Sequence, residues 1–227
     1  DHGGLVWLSL VVGLFMLLAP GAPRPGILLW CTVLLATLLI SLRFRIAPLA
    51  VIVMAVAGLG VRIVLDGSGF SDVLTVTSAA IAQVLNGHSP WGVLYPESVP
   101  PGAPFPYGPI AIFWYLPLRE TPRLMELAGA GLILVLLALR GRPLGLAIFA
   151  FAPALGSLAT DGSNDTSASL LILAASLVLQ RSVFWGGVAL AYATAFKAYA
   201  LAWLPVLLWW GGLQALIGFG AGSLVTW

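Results

Sequence analysis

The sequence predicts an all-α fold: a polytopic transmembrane helical bundle with a long extracytoplasmic loop that carries an amphipathic surface helix. Three observations predict it. Charged residues make up 8% of the 227, where soluble domains average about 25%. Hydrophobic residues make up 60%, and mean hydropathy is +1.05; a water-facing exterior could not hide that much apolar surface. Apolar runs recur along the whole chain, each bounded by Arg, Pro, Gly or Asp. At roughly 20 residues per crossing, the length allows about eight spans. The same composition excludes an ordinary soluble enzyme and a disordered chain. A single cysteine, Cys31, excludes a disulfide scaffold. A net charge of +2 gives no reason to expect nucleic acid.

The chain reads as one integral membrane domain over 1–227. Residues 1–65 hold the first spans, in runs 5–19, 27–42 and 46–65. The first run lacks a basic flank and is followed by more spans, so it reads as a membrane helix and not as a signal peptide. Residues 109–227 hold the later runs: 109–118, 124–139, 144–159, 166–179, 183–210 and 213–227. Run 183–210 is too long for one simple span; with Pro205 inside it, it reads as a kinked helix or two pieces. Gly218 and Gly222 form a small-xxx-small pair suited to helix packing. Trp209, Trp210 and Trp227 suit an interfacial belt. The chain starts without Met and stops inside an apolar run, which reads as a piece of a longer protein.

Residues 66–108 break the pattern. They are polar, rich in Pro and Gly, and hold no Lys or Arg, while the loop before them carries Arg43 and Arg45. The positive-inside bias puts those arginines in the cytoplasm and 66–108 on the far side. Long loops tend to be functional. Within this one, 72–86 predicts a helix, capped by Ser71 or Asp72 and stopped by Gly87. Val73, Val76, Ala80 and Val84 form one stripe, with Leu74, Ile81 and Leu85 beside it; Thr75, Ser78 and Asn86 lie opposite. Such a helix suits the membrane surface. The ten residues 109–118 reach only about 15 Å as a helix, half a bilayer core. If they cross, Arg119 and Arg123 are inside; if they dip and return, Arg140, Arg142 and Arg181 are. The larger arginine count favours the dip.

The few polar groups narrow where chemistry could occur. Asp72, at the mouth of the surface helix, is either an N-cap or a general base at the lipid boundary. His88 stands alone in the long loop; a metal there would need carboxylates such as Asp66 and Asp72. Thr160-Asp161-Gly162-Ser163-Asn164-Asp165 is either a solvated turn, with Asp165 capping the next helix, or a polar site lined by Asn164 and Asp165. Lys197, inside an apolar run, either snorkels from a helix end or faces the bundle interior as a phosphate-binding cation. Arg62 reads as the partner of Asp66, four residues on.

Taken in order, these pieces resemble the membrane glycosyltransferases of the GT-C superfamily, closest to glycosyltransferase family 87, which is mannosyltransferase-like. The resemblance lies in Ser71-Asp72, then Asn86-Gly87-His88-Ser89-Pro90-Trp91, then Phe105-Pro106-Tyr107-Gly108-Pro109. It continues in Gly162-Ser163-Asn164-Asp165, Gly186-Gly187, Phe196-Lys197-Ala198-Tyr199 and Leu204-Pro205, and covers roughly residues 66–210. Departures are Thr75 and Thr77 where the family has tyrosines, and Tyr107-Gly108-Pro109 where it has Tyr-Pro-Pro. The resemblance implies a GT-C-like bundle and an inverting enzyme in a cytoplasmic membrane of bacterial type, with its site on the outer face. A hexose (mannose-like) or pentose would move from a polyprenyl-phosphate donor to a glycolipid or glycan hydroxyl. Asp72 would be the base, Lys197 would neutralise the leaving phosphate, and His88 and Tyr107 would shape the pocket. No cofactor is implied, since the lipid-linked sugar is substrate; superfamily members differ in their use of divalent metal. The implied partners are membrane lipid, donor and acceptor, and no nucleic acid. Two other classes compete: a multi-pass transporter or flippase, which predicts broken helices and repeated halves, and a non-catalytic assembly subunit. An enzyme predicts a cavity under the loop with Asp72 on its wall.

Overall fold

The computed structural model describes residues 2–19, 26–65 and 71–226. These residues are mostly helical, with one two-stranded hairpin inside the long loop. Three helical stretches, Ile27–Phe44, Ala47–Leu65 and Ala198–Thr226, are long and apolar enough to cross a membrane. Their outward faces are apolar too: Leu28 is 80% exposed and Trp209 86%. Water would penalise such faces and lipid does not, so the expectation of a membrane protein holds at that level. Hydroxyls on several of the apolar helices are satisfied internally. Ser9, Thr37, Ser176, Thr194 and Ser223 each donate to a carbonyl one turn back.

The chain forms two compact units. The first comprises Asp1–Phe70 and Glu126–Gly162. In it α1 (His2–Leu18), α2 (Ile27–Phe44) and α3 (Ala47–Leu65) pack with one another. Most of α6 (Arg123–Leu139) belongs here, with α7 (Pro143–Phe151) and α8 (Pro153–Ser157). The expected run 144–159 is broken at Ala152, which is extended because Pro153 follows it. That break leaves the last carbonyls of α7 without helical partners. Fully buried Arg62 of α3 supplies them: Nη1 donates to Ala150 O at 3.0 Å and Nη2 to Phe149 O at 2.5 Å. Further bonds reach Gly58 O and Leu155 O, and the guanidinium lies 4.5 Å from the Phe149 ring centre. Arg62 is thus a cap for a broken helix. Its expected partner Asp66 lies outside the described residues.

The second unit comprises Ser71–Met125 and Ser163–Trp227. It holds α4 (Val73–Leu85), the hairpin of β1 (Leu94–Tyr95) and β2 (Ala103–Pro104), α5 (Pro109–Tyr115), α9 (Asp165–Leu179), α10 (Val183–Phe196) and α11 (Leu204–Thr226). The surface helix forms within one residue of its predicted bounds, but its buried face differs from the predicted stripe. Leu74, Thr77 and Ile81 are buried with Val76 and Ala80, while Val84 and Leu85 are exposed. The helix packs against α5, so tertiary contact chooses the face.

Helices α10 and α11 touch through glycine. A Cβ at Gly187 would meet Ala215 O at 2.2 Å, and one at Gly218 would meet Phe184 O at 2.1 Å. The small-residue pair is therefore a packing device, as expected. The long run 183–210 is two pieces, but the break falls at Lys197, not at Pro205. Pro205 sits in the first turn of α11, where its missing N–H costs nothing. A second kink lies at Gly212, whose φ of 52° takes it out of the helical region.

Candidate functional site

The second unit brings polar groups together from α4, the hairpin, α9 and the α10 break. On the loop side, Asp72 occupies the N-cap position of α4 by backbone, yet its side chain does not cap. Asp72 Oδ2 instead accepts the N–H of Val99 at 2.5 Å. Ser71 Oγ takes the nearer role, accepting Val73 N–H at a long 3.4 Å. Val99 lies between the two hairpin strands. Buried Ser98 ties that turn together: its hydroxyl lies within donating distance of Tyr95 O and Pro100 O, 2.7 and 2.8 Å away, and accepts from Ala103 N–H. Tyr95, buried beneath, donates its hydroxyl to Pro90 O at 2.7 Å. Burial and then the charge of Glu97 push the Tyr95 phenol up.

On the helix side, Lys197 is extended (φ −148°, ψ 120°) at the end of α10. Its side chain is 18% exposed, so it is turned inward. Nζ donates to Asn164 Oδ1 at 2.8 Å and to Asp165 Oδ1 at 2.5 Å. Asn164 is the N-cap position of α9 and Asp165 its first residue, so both carry their side chains away from capping and toward the ammonium. The rings of Tyr107 and Tyr199 flank Nζ at 5.5 and 5.1 Å. No proline or glycine sits at the α10 break, where Lys197 makes these bonds.

Tyr107 joins the two sides. Its carbonyl accepts Trp91 Nε1–H at 2.9 Å, and its ring meets Phe105 edge-on. The next residue, Gly108, lies so close to α10 that a Cβ would stand 2.1 Å from Ala195 O. This is why glycine stands here: any side chain would move Tyr107 away from Lys197. The Tyr107 phenol is pushed up to about 12, by burial first, then by the charges of Asp165 and Asp72. Both carboxylates therefore act on one phenol, with the ammonium over its ring.

Of the residues singled out from sequence, Tyr107, Asn164, Asp165 and Lys197 come together, and Asp72 acts on the same phenol. His88 is exposed in the turn after α4, and its side chain has no hydrogen-bond partner among the described residues. Three participants were not singled out: Tyr199, Val99 through its backbone N–H, and Gly108 through its lack of a side chain. Tyr199 had a signal, two residues beyond Lys197. Two adjoining cavities of about 270 and 340 Å³ share Leu173, Ser176 and Trp203, and the second reaches Tyr199. Their walls are mostly apolar, and neither is lined by Asp72. Among the described residues no three His, Cys, Asp or Glu side chains gather as a metal site. Comparison with protein-family models, curated proteins and solved structures finds no match to this chain.

Proposed function

We propose that this protein is an inverting membrane glycosyltransferase that takes its sugar from a polyprenyl-phosphate donor. The observation that carries the reading is the inward-turned Lys197, whose Nζ donates to Asn164 and Asp165 and lies 5.5 Å from the Tyr107 ring centre, in the same unit as Asp72. Such a transfer needs a base and a cation; the expected cavity with Asp72 on its wall is neither of the two described, whose walls include neither Asp72 nor Lys197. The acceptor hydroxyl oxygen bonds to C1 of the sugar while the C1–O bond to phosphate breaks, with inversion. The hydroxyl proton goes to Asp72, whose Oδ1 is left for it because Oδ2 holds Val99 N–H. The leaving phosphate gathers charge beside Lys197, where a cation in a partly dry site acts most strongly. The apolar cavities next to Tyr199 suit a prenyl tail. The acceptor is a glycolipid or glycan hydroxyl, the sugar a hexose or pentose, and the site faces the extracytoplasmic side.

The test is sugar transfer from polyprenyl-phosphate sugars by the protein and by Asp72→Asn. A positioned base contributes roughly 10²- to 10⁴-fold, so the variant should lose that much in kcat. Equal transfer by both proteins sinks the base assignment. The helix breaks at Ala152, Lys197 and Gly212 favour a second reading, transport of such a lipid. Lipid translocation without any transfer would select it.

A further inference from the structure

The Lys197 cluster holds a donor that nothing in the fold uses. Asn164 is fully buried, and its Nδ2 has no hydrogen-bond partner among the described residues. Its orientation is not arbitrary. The Lys197 ammonium only donates, so the amide oxygen must face Nζ, as it does at 2.8 Å, and Nδ2 is the end left over. Buried amide donors are rarely left unpaired. Lys197 directs two of its three N–H bonds, to Asn164 and Asp165. Both residues sit at the N-terminus of α9, the positive end of a fifteen-residue helix. An unused amide donor, an ammonium and a helix N-terminus all favour an anion. The anion now present is the Asp165 carboxylate, which is 26% exposed and has a way out to solvent.

We propose that Asn164 and Lys197 together form a cradle for the phosphate of the donor, and that Asp165 is a displaceable counter-ion holding Lys197 until the phosphate arrives. This rests on the glycosyltransferase reading above and adds how its donor is admitted. A phosphate oxygen takes the place of the Asp165 carboxylate on Nζ, and a second oxygen accepts from Asn164 Nδ2. Asp165 swings out, its charge then opposing overfilling of the site by a second anion. Resting and loaded states thus keep the ammonium paired, which avoids an uncompensated buried charge in either.

The test is binding of farnesyl phosphate to the full chain in detergent, by titration calorimetry, with inorganic phosphate and farnesol as separate arms. Lys197→Met should abolish phosphate-dependent binding. Asn164→Leu should weaken it roughly tenfold to a hundredfold, the effect of one hydrogen bond to a charged group. Asp165→Asn should tighten it several-fold, because the competing charge is gone; a misfolded protein could not imitate that gain. Weakening by Asp165→Asn equal to that of Lys197→Met overturns the proposal and makes the ion pair a structural lock. Binding by Asn164→Leu equal to the parent also overturns it. Equal affinity for inorganic and farnesyl phosphate supports the cradle and overturns the lipid donor. No binding of either phosphate by the parent protein overturns the cradle and the donor together. The predicted binding pattern with no sugar transfer leaves the cradle standing and removes the transferase.

Discussion

Gly108→Ala is the sharpest test of how the fold positions the site. The backbone at Gly108 is ordinary (φ −79°, ψ 175°), so alanine suits it conformationally. Without a steric obstacle, the change would stabilise by about 0.4–1 kcal/mol through the unfolded chain. The structure reverses that sign. The new Cβ would lie 2.1 Å from Ala195 O and 2.8 Å from its carbonyl carbon. The 105–109 segment must therefore withdraw from α10 by about 1 Å to reach ordinary contact. Overpacking of this kind costs about 1–3 kcal/mol. Tyr107, one residue away, moves with it and loses part of its contact with Lys197. For a chain of this length, 2 kcal/mol corresponds to a fall of about 4–8 °C in Tm. The assay is thermal unfolding in detergent, with Gly220→Ala as control. Gly220 lies in α11 with open space around it, and alanine there should hold or raise Tm through helix propensity, worth up to about 1 kcal/mol. If Gly108→Ala melts at or above the parent temperature, the close approach to α10 is not what fixes Tyr107.

Three further outcomes follow from the same geometry. The Tyr107 phenol is raised to about 12, above its unfolded value near 10. The unfolded state therefore loses this proton first, and stability falls as pH rises from about 10 to 12; absorbance at 295 nm should show a late-titrating phenol that Tyr107→Phe removes, and unfolding should lose part of its alkaline slope. Arg62→Met leaves the carbonyls of Phe149 and Ala150 at the end of α7 unpaired, at about 1–3 kcal/mol for each buried group, so Tm should fall by several degrees; an unchanged melt would show those carbonyls find other donors. Gly218→Ala drives a Cβ to 2.1 Å from Phe184 O and should lower Tm where Gly220→Ala, two residues on, does not.

Much of this was legible in the sequence, and the reason is the scarcity of charge. With so few ionisable residues, Asp72, Asp165 and Lys197 stood out because apolar surroundings make each one costly. The helices were legible because apolar runs ended at Pro, Gly and Arg, whose effect on the backbone is local. What did not read through was decided by partners distant in sequence. The buried face of α4 follows α5, not its own strongest stripe, so Thr77 is inside and Val84 outside. Asp72 could be placed at the head of α4, but nothing near it in the chain says that its carboxylate serves Val99, twenty-seven residues on. Arg62 looked toward Asp66, its sequence neighbour, because a carboxylate four residues away is the obvious partner. Apart from one to Gly58 O, its described bonds are to carbonyls on either side of a proline break about ninety positions later.

The break at Lys197 is the clearest case of the two scales meeting. Local rules favour Pro205 as the breaking point and leave Ala195-Phe196-Lys197-Ala198 as unbroken helix. A continuous helix would carry Lys197 as an interior cation in an apolar segment, an arrangement with a large desolvation cost. Stopping α10 one residue earlier lets the side chain reach Asn164 and Asp165, whose own helix begins there. The chain gives up a continuous α-helix, with Lys197 extended and Ala198–Trp203 following as 3₁₀ helix, and the ammonium gains a carboxylate, an amide oxygen and two ring faces. A prediction separates cause from coincidence here. If the ion pair holds the break, Lys197→Leu should extend α10 toward Pro205, increase helical circular dichroism and raise amide-exchange protection at 197–203. If protection there is unchanged, the break is set by the packing of Phe196 against Trp114 and Tyr115, and Lys197 merely uses it.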